Sequence, residues 1–532
     1  MSSDPTIETV TSSKNSYDEV PYPRWTGLIT HPNRLACMAT LFGLQPAEVA
    51  TCRVLELACA SGGNLIPMAY GLPQASFVGV DLSSVQLTAG KAVVESLGLT
   101  NIRLEHANIL DLPDDFGTFD YIIAHGVYSW VPPAVQDKIL SIYSHLLAPQ
   151  GVGYISYNCY PGWHSLEMVR ELMLYHVSEM QTVEQKVQQA RAVLKFVMQS
   201  TAEQHRGHSQ TLREHWELFS NCSDSYLYHE LLEENNQPVY FHQFAARAAQ
   251  HNLKFLSEAS LLEMRGPGIS EELYETLQQH DDPLIVEQYV DFLVNRTFRK
   301  TLLCHANLTT AKQPLLENVP KFRILGMAVP KSSTPDLVGT KSEEFTSSWG
   351  SSVTTSHPVD KTSLFTLAEA VPFSLTFADL LERIQQRLYP KQAFPSDSRD
   401  HDRLCQSLLN CYLSGMIEFE LFEPVLAAEI SPLPVCSPVA RMELADSGSL
   451  TNMRHQGIAM QNPITMHLIP LLDGKHDHEW LVEFLVEAAL KGSLDVEQNG
   501  KKLEDVPTLR RIMQNQLEYA LRSLYQNSLL VP

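Results

Sequence analysis

Two rhythms of apolar and polar positions alternate along the first third of the chain. Short apolar runs at Arg53–Leu57, Ser76–Val80, Ile102–His106, Asp120–Ala124 and Gly153–Tyr157 predict strands. Between them apolar residues recur every three or four positions. That spacing predicts helices over Asn64–Tyr70, Ser84–Leu97 (closed by Gly98) and Pro133–Leu147. Upstream, Thr30-His31-Pro32 reads as a helix start, with Thr30 as the cap and Pro32 in the first turn, followed by Leu35, Met38, Ala39 and Phe42 at helical spacing. Strand and helix in alternation imply βαβ units, hence a mostly parallel, doubly wound α/β sheet with helices on both faces.

Beyond residue 165 the rhythm changes. Leu166 to about Trp216 is helical in pattern and suits an arm or a dimerisation helix. Tyr240–Gln250 predicts a helix and Leu253–Glu258 a strand, a pair placed to give the core sheet a sixth strand after the insertion. Residues 284–303 read as an amphipathic helix. Residues 331–362, rich in Ser, Thr, Lys and Gly, read as a linker. Two further segments share one layout: helices at Phe377–Arg387 and Arg403–Leu413 with a strand at Met416–Phe422, then helices at Glu479–Leu490 and Thr508–Leu524 with a strand at Ser528–Val531. Helix, helix and short strand resembles a winged helix.

Composition narrows the function classes. A chain of 532 residues is too long for one core and implies three or four domains. A net charge of −22 repels phosphate backbones and argues against nucleic acid. It suits a basic partner, such as a lysine-bearing protein or an amine, and equally suits plain solubility. The nine cysteines are scattered, without a Cys-x-x-Cys pair or a zinc-type cluster, so no metal and a reducing compartment are expected. No apolar run approaches the length of a bilayer span, and Met1-Ser2-Ser3-Asp4 does not begin a signal peptide. The expected location is the cytoplasm.

The strongest chemical signal is Val54-Leu55-Glu56-Leu57-Ala58-Cys59-Ala60-Ser61-Gly62-Gly63-Asn64, a strand entering a small-residue turn and then a helix. Small side chains admit a ligand close to the backbone, and the helix start offers unpaired N–H groups. Asp81 ends the next strand, 19 residues after Gly62, where a carboxylate would grip ribose hydroxyls. A dinucleotide would need Gly-x-Gly-x-x-Gly to cradle its pyrophosphate, and Ala-x-Ala-x-Gly-Gly fits that poorly. Glu56 inside the motif suits a ligand carrying an ammonium. S-adenosylmethionine (SAM) has ribose, an α-amino group and a sulfonium, and no phosphate.

These residues resemble motif I of the class I SAM-dependent methyltransferases, normally Glu/Asp-x-Gly-x-Gly-x-Gly, with Ala58 and Ala60 standing where glycines are usual. If either position has positive φ, alanine there costs about 1 kcal/mol. The resemblance implies that Glu56, Ala58, Ala60, Gly62, Asn64, Asp81 and Leu82 surround the cofactor. It implies that Asp81 holds the ribose, that Asn108 meets the adenine amino edge and that Ile109 packs on the adenine face, with His125 nearby. Further stretches resemble a narrower family, bacterial methyltransferases with a methyltransferase regulatory domain. These are Ser16 to Tyr22, Thr30-His31-Pro32, Tyr157-Asn158-Cys159-Tyr160-Pro161-Gly162-Trp163, Val239-Tyr240-Phe241, Gln288 to Phe292 and Asn295-Arg296-x-Phe298-Arg299. Some members are protein lysine methyltransferases acting on outer-membrane proteins, which implies an acceptor protein with accessible lysines, a surface or outer-membrane precursor among them.

An amine acceptor needs groups that desolvate it, and aromatic residues follow the fourth and fifth strands: Tyr128 and Trp130, then Tyr160 and Trp163. Tyr160 and Asn158 are the expected catalytic groups, Tyr128, Trp130 and Trp163 the expected acceptor walls, and Tyr17 and Tyr22 an expected lid over the cofactor. Tyr128 and Trp130 equally suit anchoring a loop, and Trp163 suits packing its own helix. The expected organisation is an N-terminal lid and helix (1–50), the SAM-binding core (51–165), a helical insertion or dimerisation arm (166–225) and a regulatory region (226–305). A linker (306–362), a winged-helix-like middle module (363–440) and a C-terminal module (441–532) follow, with a homodimer as the expected assembly. Protein lysine methylation, methylation of a small amine and a non-catalytic SAM-binding scaffold are the three readings the residues leave open, with an oxidoreductase a remote fourth.

Overall fold

In the computed structural model the described residues are Val20, 25–202, 204–347, 350–390, 398–446, 449–498, 501–503 and 505–532. Five strands, β1 (Arg53–Leu57), β2 (Ser76–Asp81), β3 (Ile102–His106), β4 (Phe119–Ala124) and β5 (Leu147–Asn158), pair in parallel in the order β3-β2-β1-β4-β5. Alternate residues of each strand feed two cores. Val54, Phe77, Tyr121 and Tyr154 fill one face, and Leu55, Val78, Ile122 and Ile155 fill the other. All six residues of β4 are buried, the signature of a strand covered on both sides. The order reverses between β1 and β4, which opens a crevice at their carboxyl ends.

The sheet has seven strands. Residues 284–303, expected as one helix, split into the helix Pro283–Val294 and a strand, β7 (Phe298–His305). Asn295 makes the break at φ 50°, in the left-handed region where a helix cannot continue. β7 runs antiparallel between β5 and β6 (Leu253–Glu258), so the expected sixth strand lies at the edge and a seventh separates it from β5. A buried ion cluster fixes this corner. Arg299 donates to Glu258 (2.6 Å), to Glu287 (3.1 Å) and to Asp291 (2.8 and 2.9 Å), and its guanidinium lies 3.9 Å from the centre of the Phe241 ring. Arg296 donates to Asp291 at 2.6 Å. Burial pushes the Glu287 carboxyl up to about 7 despite the neighbouring Arg299.

The insertion forms the helices Trp163–Val177, Val183–Ser200 and Arg206–Phe219, packed round Leu166, Val169, Leu194 and Phe219. The stretch 331–362, expected as a linker, is ordered by long-range pairing. Strands Ala328–Pro330, Glu343–Ser347 and Ser352–Thr355 form an antiparallel sheet, and the helix Pro358–Ala370 follows. Phe345 is buried, and so is Lys361, whose ammonium donates to the carbonyls of Gly339 and Lys341 at 2.8 Å. Low hydrophobicity hid the alternate burial of Glu343–Ser347. The middle module pairs Arg323–Gly326 with Leu375–Thr376 and Ile417–Glu420, under the helices Phe377–Leu388 and Ser398–Leu413. The C-terminal module has its own core between His478–Lys491 and Val506–Gln526. Among the described residues no helix is long and apolar enough to cross a membrane, and all nine cysteines are free.

Candidate active site

The turn after β1 is built from three residues in left-handed conformation: Ala58 (φ 57°), Ala60 (φ 51°) and Gly62 (φ 74°). Such a turn makes a concave backbone surface with N–H groups on offer. Asp81, at the end of β2, braces it. One carboxylate oxygen accepts from the amide of Ala60 at 2.8 Å and the other from the amide of Ser83 at 2.7 Å. The helix Ser84–Ser96 presses on the same turn through Gly90, where an added Cβ would meet the Ser61 carbonyl oxygen at 2.3 Å. Thr30 is not the helix cap. His31 Nδ1 accepts from the Asn33 amide at 3.1 Å, and the Thr30 hydroxyl lies between the Gly27 carbonyl (2.8 Å) and Asn64 Oδ1 (3.0 Å).

A cavity of about 650 Å³ opens beside this turn. One part of its wall comes from the strand ends: Ala58, Ala60, Asp81, Leu82, Asn108, Ile109 and His125, with Trp25 added from the N-terminal segment. Trp25 stacks flat on His125. His125 is held by the Tyr154 hydroxyl at 2.9 Å, and burial, with Lys300 nearby, lowers its imidazole to about 3, so the ring is neutral. Asn108 Oδ1 accepts from the Leu110 amide at 3.0 Å, which leaves its NH2 as the donating end.

The rest of the wall comes from Trp130, Asn158 and Trp163 with Leu218, Tyr226 and Glu230 of the following segments. Trp130 and Trp163 meet edge to face with centroids 6.3 Å apart. Asn158 donates through its amide to Asn236 Oδ1 at 3.0 Å, leaving its own carbonyl as the accepting end. Glu230 lies in the π-helical turn Tyr228–Leu232, a distortion common at functional sites. Burial raises its carboxyl to about 7 although Arg170 pulls the other way.

Several expected residues lie elsewhere. Glu56, Gly62 and Asn64 stand behind the turn and are absent from the cavity wall formed by the described residues. Glu56 is buried. Its Oε1 accepts from the Asn64 amide at 2.8 Å, and its Oε2 has no hydrogen-bond partner among the described residues. Desolvation pushes this carboxyl up to about 8. Tyr128, expected at the acceptor wall, is buried against Tyr157 and Phe244, because the 3-10 turn Tyr128–Trp130 points residue 128 into the core. Tyr160, expected as catalytic, is outside the cavity wall. Its ring stacks on His164 and its hydroxyl donates to Glu167 at 3.0 Å. Tyr17 and Tyr22 lie outside the described residues. Trp25 follows the Ser16 to Tyr22 stretch in the chain, but nothing local singles it out, and Glu230 has no motif at all.

A doubly wound sheet whose first crossover turn carries left-handed small residues, braced by an acid at the end of β2 beside a deep cavity, defines a class I SAM-dependent methyltransferase. Residues 54–151 match the family model described as a methyltransferase domain, residues 223–305 the predicted methyltransferase regulatory domain and residues 433–529 the PKMT C-terminal winged helix domain. The chain belongs to the methyltransferase family that combines this core with the regulatory and winged-helix domains. It shares 33% identity with an uncharacterised protein of Rickettsia prowazekii, over 97% of this chain and 94% of that one. A second protein of that organism is 42% identical over 46% of this chain and 98% of its own length. The structure of PKMT2 from Rickettsia typhi in complex with AdoHcy superposes with a TM-score of 0.86 at 30% identity, covering 96% of this chain and 100% of that one. The cofactor is SAM, and the open small-residue turn with Asp81 on the cavity wall fits it.

Proposed function

We propose that this methyltransferase acts on an amine, the ε-amino group of lysine in an acceptor protein. The observation that carries the reading is Glu230: a half-buried carboxylate on the wall of an aromatic-lined cavity, with no hydrogen-bond donor to it among the described residues. A carboxylate partly withdrawn from water without a partner is unfavourable, and a cationic ligand would offset that cost. The name of PKMT2, the relative that aligns along its whole length, supports the same reading.

When bound, SAM would supply an electrophilic methyl on a sulfonium, taken in line by the nitrogen as the C–S bond breaks and S-adenosylhomocysteine leaves. In this reading the turn at Ala58 and Ala60, backed by Glu56, receives its amino acid portion, Asp81 the ribose hydroxyls, and Leu82, Asn108 and Ile109 the adenine. Asn108 offers its NH2 to a ring nitrogen there. A lysine amine is ordinarily protonated, near 10.4, and attacks only as the neutral base. The Trp130 and Trp163 rings lower that value by excluding water. Glu230 near 7 is a better proton acceptor than an ordinary carboxylate, and the Asn158 carbonyl orients the nitrogen lone pair. Leu218 and Tyr226 reach the surface, 55% and 39% exposed, so a long side chain could enter from outside while its backbone stays there. The charge of −22 favours a lysine-rich protein.

The test is transfer of radiolabelled methyl from SAM to a lysate, with mass spectrometry of the product. Label on protein lysines, lost in Glu230→Gln while SAM still binds, is expected. Label confined to low-molecular-weight material would replace the protein with a small amine. Full activity of Glu230→Gln would remove its role.

A further inference from the structure

The C-terminal module reaches back across the sequence to the cofactor turn. Its strand Ser449–Thr451 leads into a tight loop at 452–456, where His455 sits at φ 61°, a conformation that a non-glycine residue adopts only when its surroundings demand it. The loop is clamped. Asn452 Oδ1 accepts from the amides of Arg454 (3.0 Å) and Gln456 (2.8 Å), and Asn452 Nδ2 donates to the Asn527 carbonyl at 3.0 Å. Buried Arg454 pairs with Glu420 and Glu423 of the middle module. The clamp delivers the His455 imidazole, 2% exposed, to Asn64, the residue that opens the helix after the cofactor turn. His455 Nε2 donates to Asn64 Oδ1 at 2.9 Å. Asn64 in turn donates to Glu56 Oε1 at 2.8 Å, and the Thr30 hydroxyl lies 3.0 Å from the same Asn64 oxygen. The same module touches the opposite cover of the cavity, where Thr451 Oγ1 lies 3.1 Å from Thr26 Oγ1, next to Trp25.

We propose that His455 is a positioning residue for the cofactor site, and that the C-terminal module is thereby a structural part of SAM binding in this protein. The single Thr30 hydroxyl proton is shared between the Gly27 carbonyl (2.8 Å) and Asn64 Oδ1 (3.0 Å), so His455 Nε2 is the donor committed to Asn64 Oδ1. With His455 in place the amide orientation is fixed: Oδ1 faces the imidazole N–H and Nδ2 faces Glu56. Without His455 the amide can rotate, Glu56 Oε1 loses its donor among the described residues, and the support behind the cofactor turn is loosened. Covalent continuity does not enforce this link, since 391 residues separate Asn64 and His455. It depends on docking of the C-terminal module, so displacement of that module by a partner would be felt at the cofactor turn. The inference rests on the cofactor, and not on the identity of the acceptor.

Two substitutions separate positioning from folding. Asn accepts the left-handed backbone well, but its side chain is too short to place a donor where Nε2 lies. Gln tolerates that backbone less well, yet its Nε2 reaches the same position. The experiment is calorimetric titration of the full chain with SAM and with S-adenosylhomocysteine, beside thermal unfolding without ligand. For His455→Asn the SAM Kd should rise about tenfold, the loss of one buried hydrogen bond. His455→Gln should return it to within about threefold of the parent, although its backbone fit is worse. Rescue of affinity against the order of backbone preference is what a merely structural histidine would not produce. Equal Kd values in all three proteins overturn the proposal. So does an affinity order that follows the melting temperatures, or failure of both variants to fold. The transfer experiment on Glu230 reads the acceptor and is decided separately.

Discussion

The indole of Trp25 lies on the imidazole of His125 with ring centroids 3.9 Å apart and planes 5° from parallel. Both rings line the cavity. The N-terminal segment therefore closes over the carboxyl end of β4 through an aromatic contact on a neutral histidine. Replacing Trp25 by Ala removes the cover and the face offered to a sulfonium. SAM affinity should fall about five- to tenfold, near 1 kcal/mol, as expected for one aromatic contact. Calorimetry with SAM and with S-adenosylhomocysteine checks it, and the uncharged product should lose less.

Asp81 is the brace of the turn as well as a wall of the cavity. Asn at this position cannot accept from both the Ala60 and Ser83 amides, because one of its two side-chain atoms is itself a donor. Asp81→Asn should weaken SAM binding roughly 100-fold, the scale of a charge-assisted pair of hydrogen bonds. An unaltered titration curve would sink the ribose assignment.

Ala58 and Ala60 carry φ values of 57° and 51°, where a Cβ is strained. Glycine relieves about 1 to 2 kcal/mol of that strain and gives back about 0.4 to 1 kcal/mol through the greater freedom of the unfolded chain. Ala58→Gly and Ala60→Gly should each stabilise the protein modestly, by about 0.5 to 1 kcal/mol. Urea unfolding without ligand reads this directly. A loss of stability in both variants would mean that contacts of the alanine methyls outweigh the backbone strain.

Glu56 makes the unliganded protein pH-sensitive. Its carboxyl is raised from 4.5 to about 8, so between those values the folded protein holds a proton that the unfolded chain has released. Its contribution is complete below 4.5 and is lost as pH rises to about 8. In that window it should add a downward slope of about 1 kcal/mol per pH unit, which Glu56→Gln removes. Denaturant titrations of parent and variant at pH 5.5, 6.5 and 7.5 test this, and parallel pH profiles would contradict it. SAM binding near pH 7 should also release a proton, visible as a buffer-dependent binding enthalpy.

The core was legible where local rules govern it. The runs at 53–57, 76–80, 102–106 and 120–124 each became strands within a residue or so: the central β4 is buried on both faces, while the edge strand β3 alternates, with Ile102 and Leu104 buried and Arg103 exposed. The motif from Glu56 to Asn64 was legible because a turn that admits a ligand tolerates only small residues. Residues 298–305 were misread as helix, since a short apolar run has no periodicity of its own and its partners lie about 50 and 140 residues away in the chain. Residues 331–362 were misread as linker, since their order comes from pairing with Ala328–Pro330 and from the buried ammonium of Lys361.

The sequence alone thus determined the strand-and-helix frame, the cofactor turn and the acid that ends β2, all set by interactions within a few residues or by packing that must exclude water. Tertiary structure decided which aromatic faces the cleft, choosing Trp25, Trp130 and Trp163 and burying Tyr128 in the core. It also put Glu230 on the cavity wall and His455 against Asn64, with no motif to mark either. Such choices depend on the direction of a side chain after long loops have closed. That direction is fixed by contacts between segments hundreds of residues apart, and no local pattern carries it.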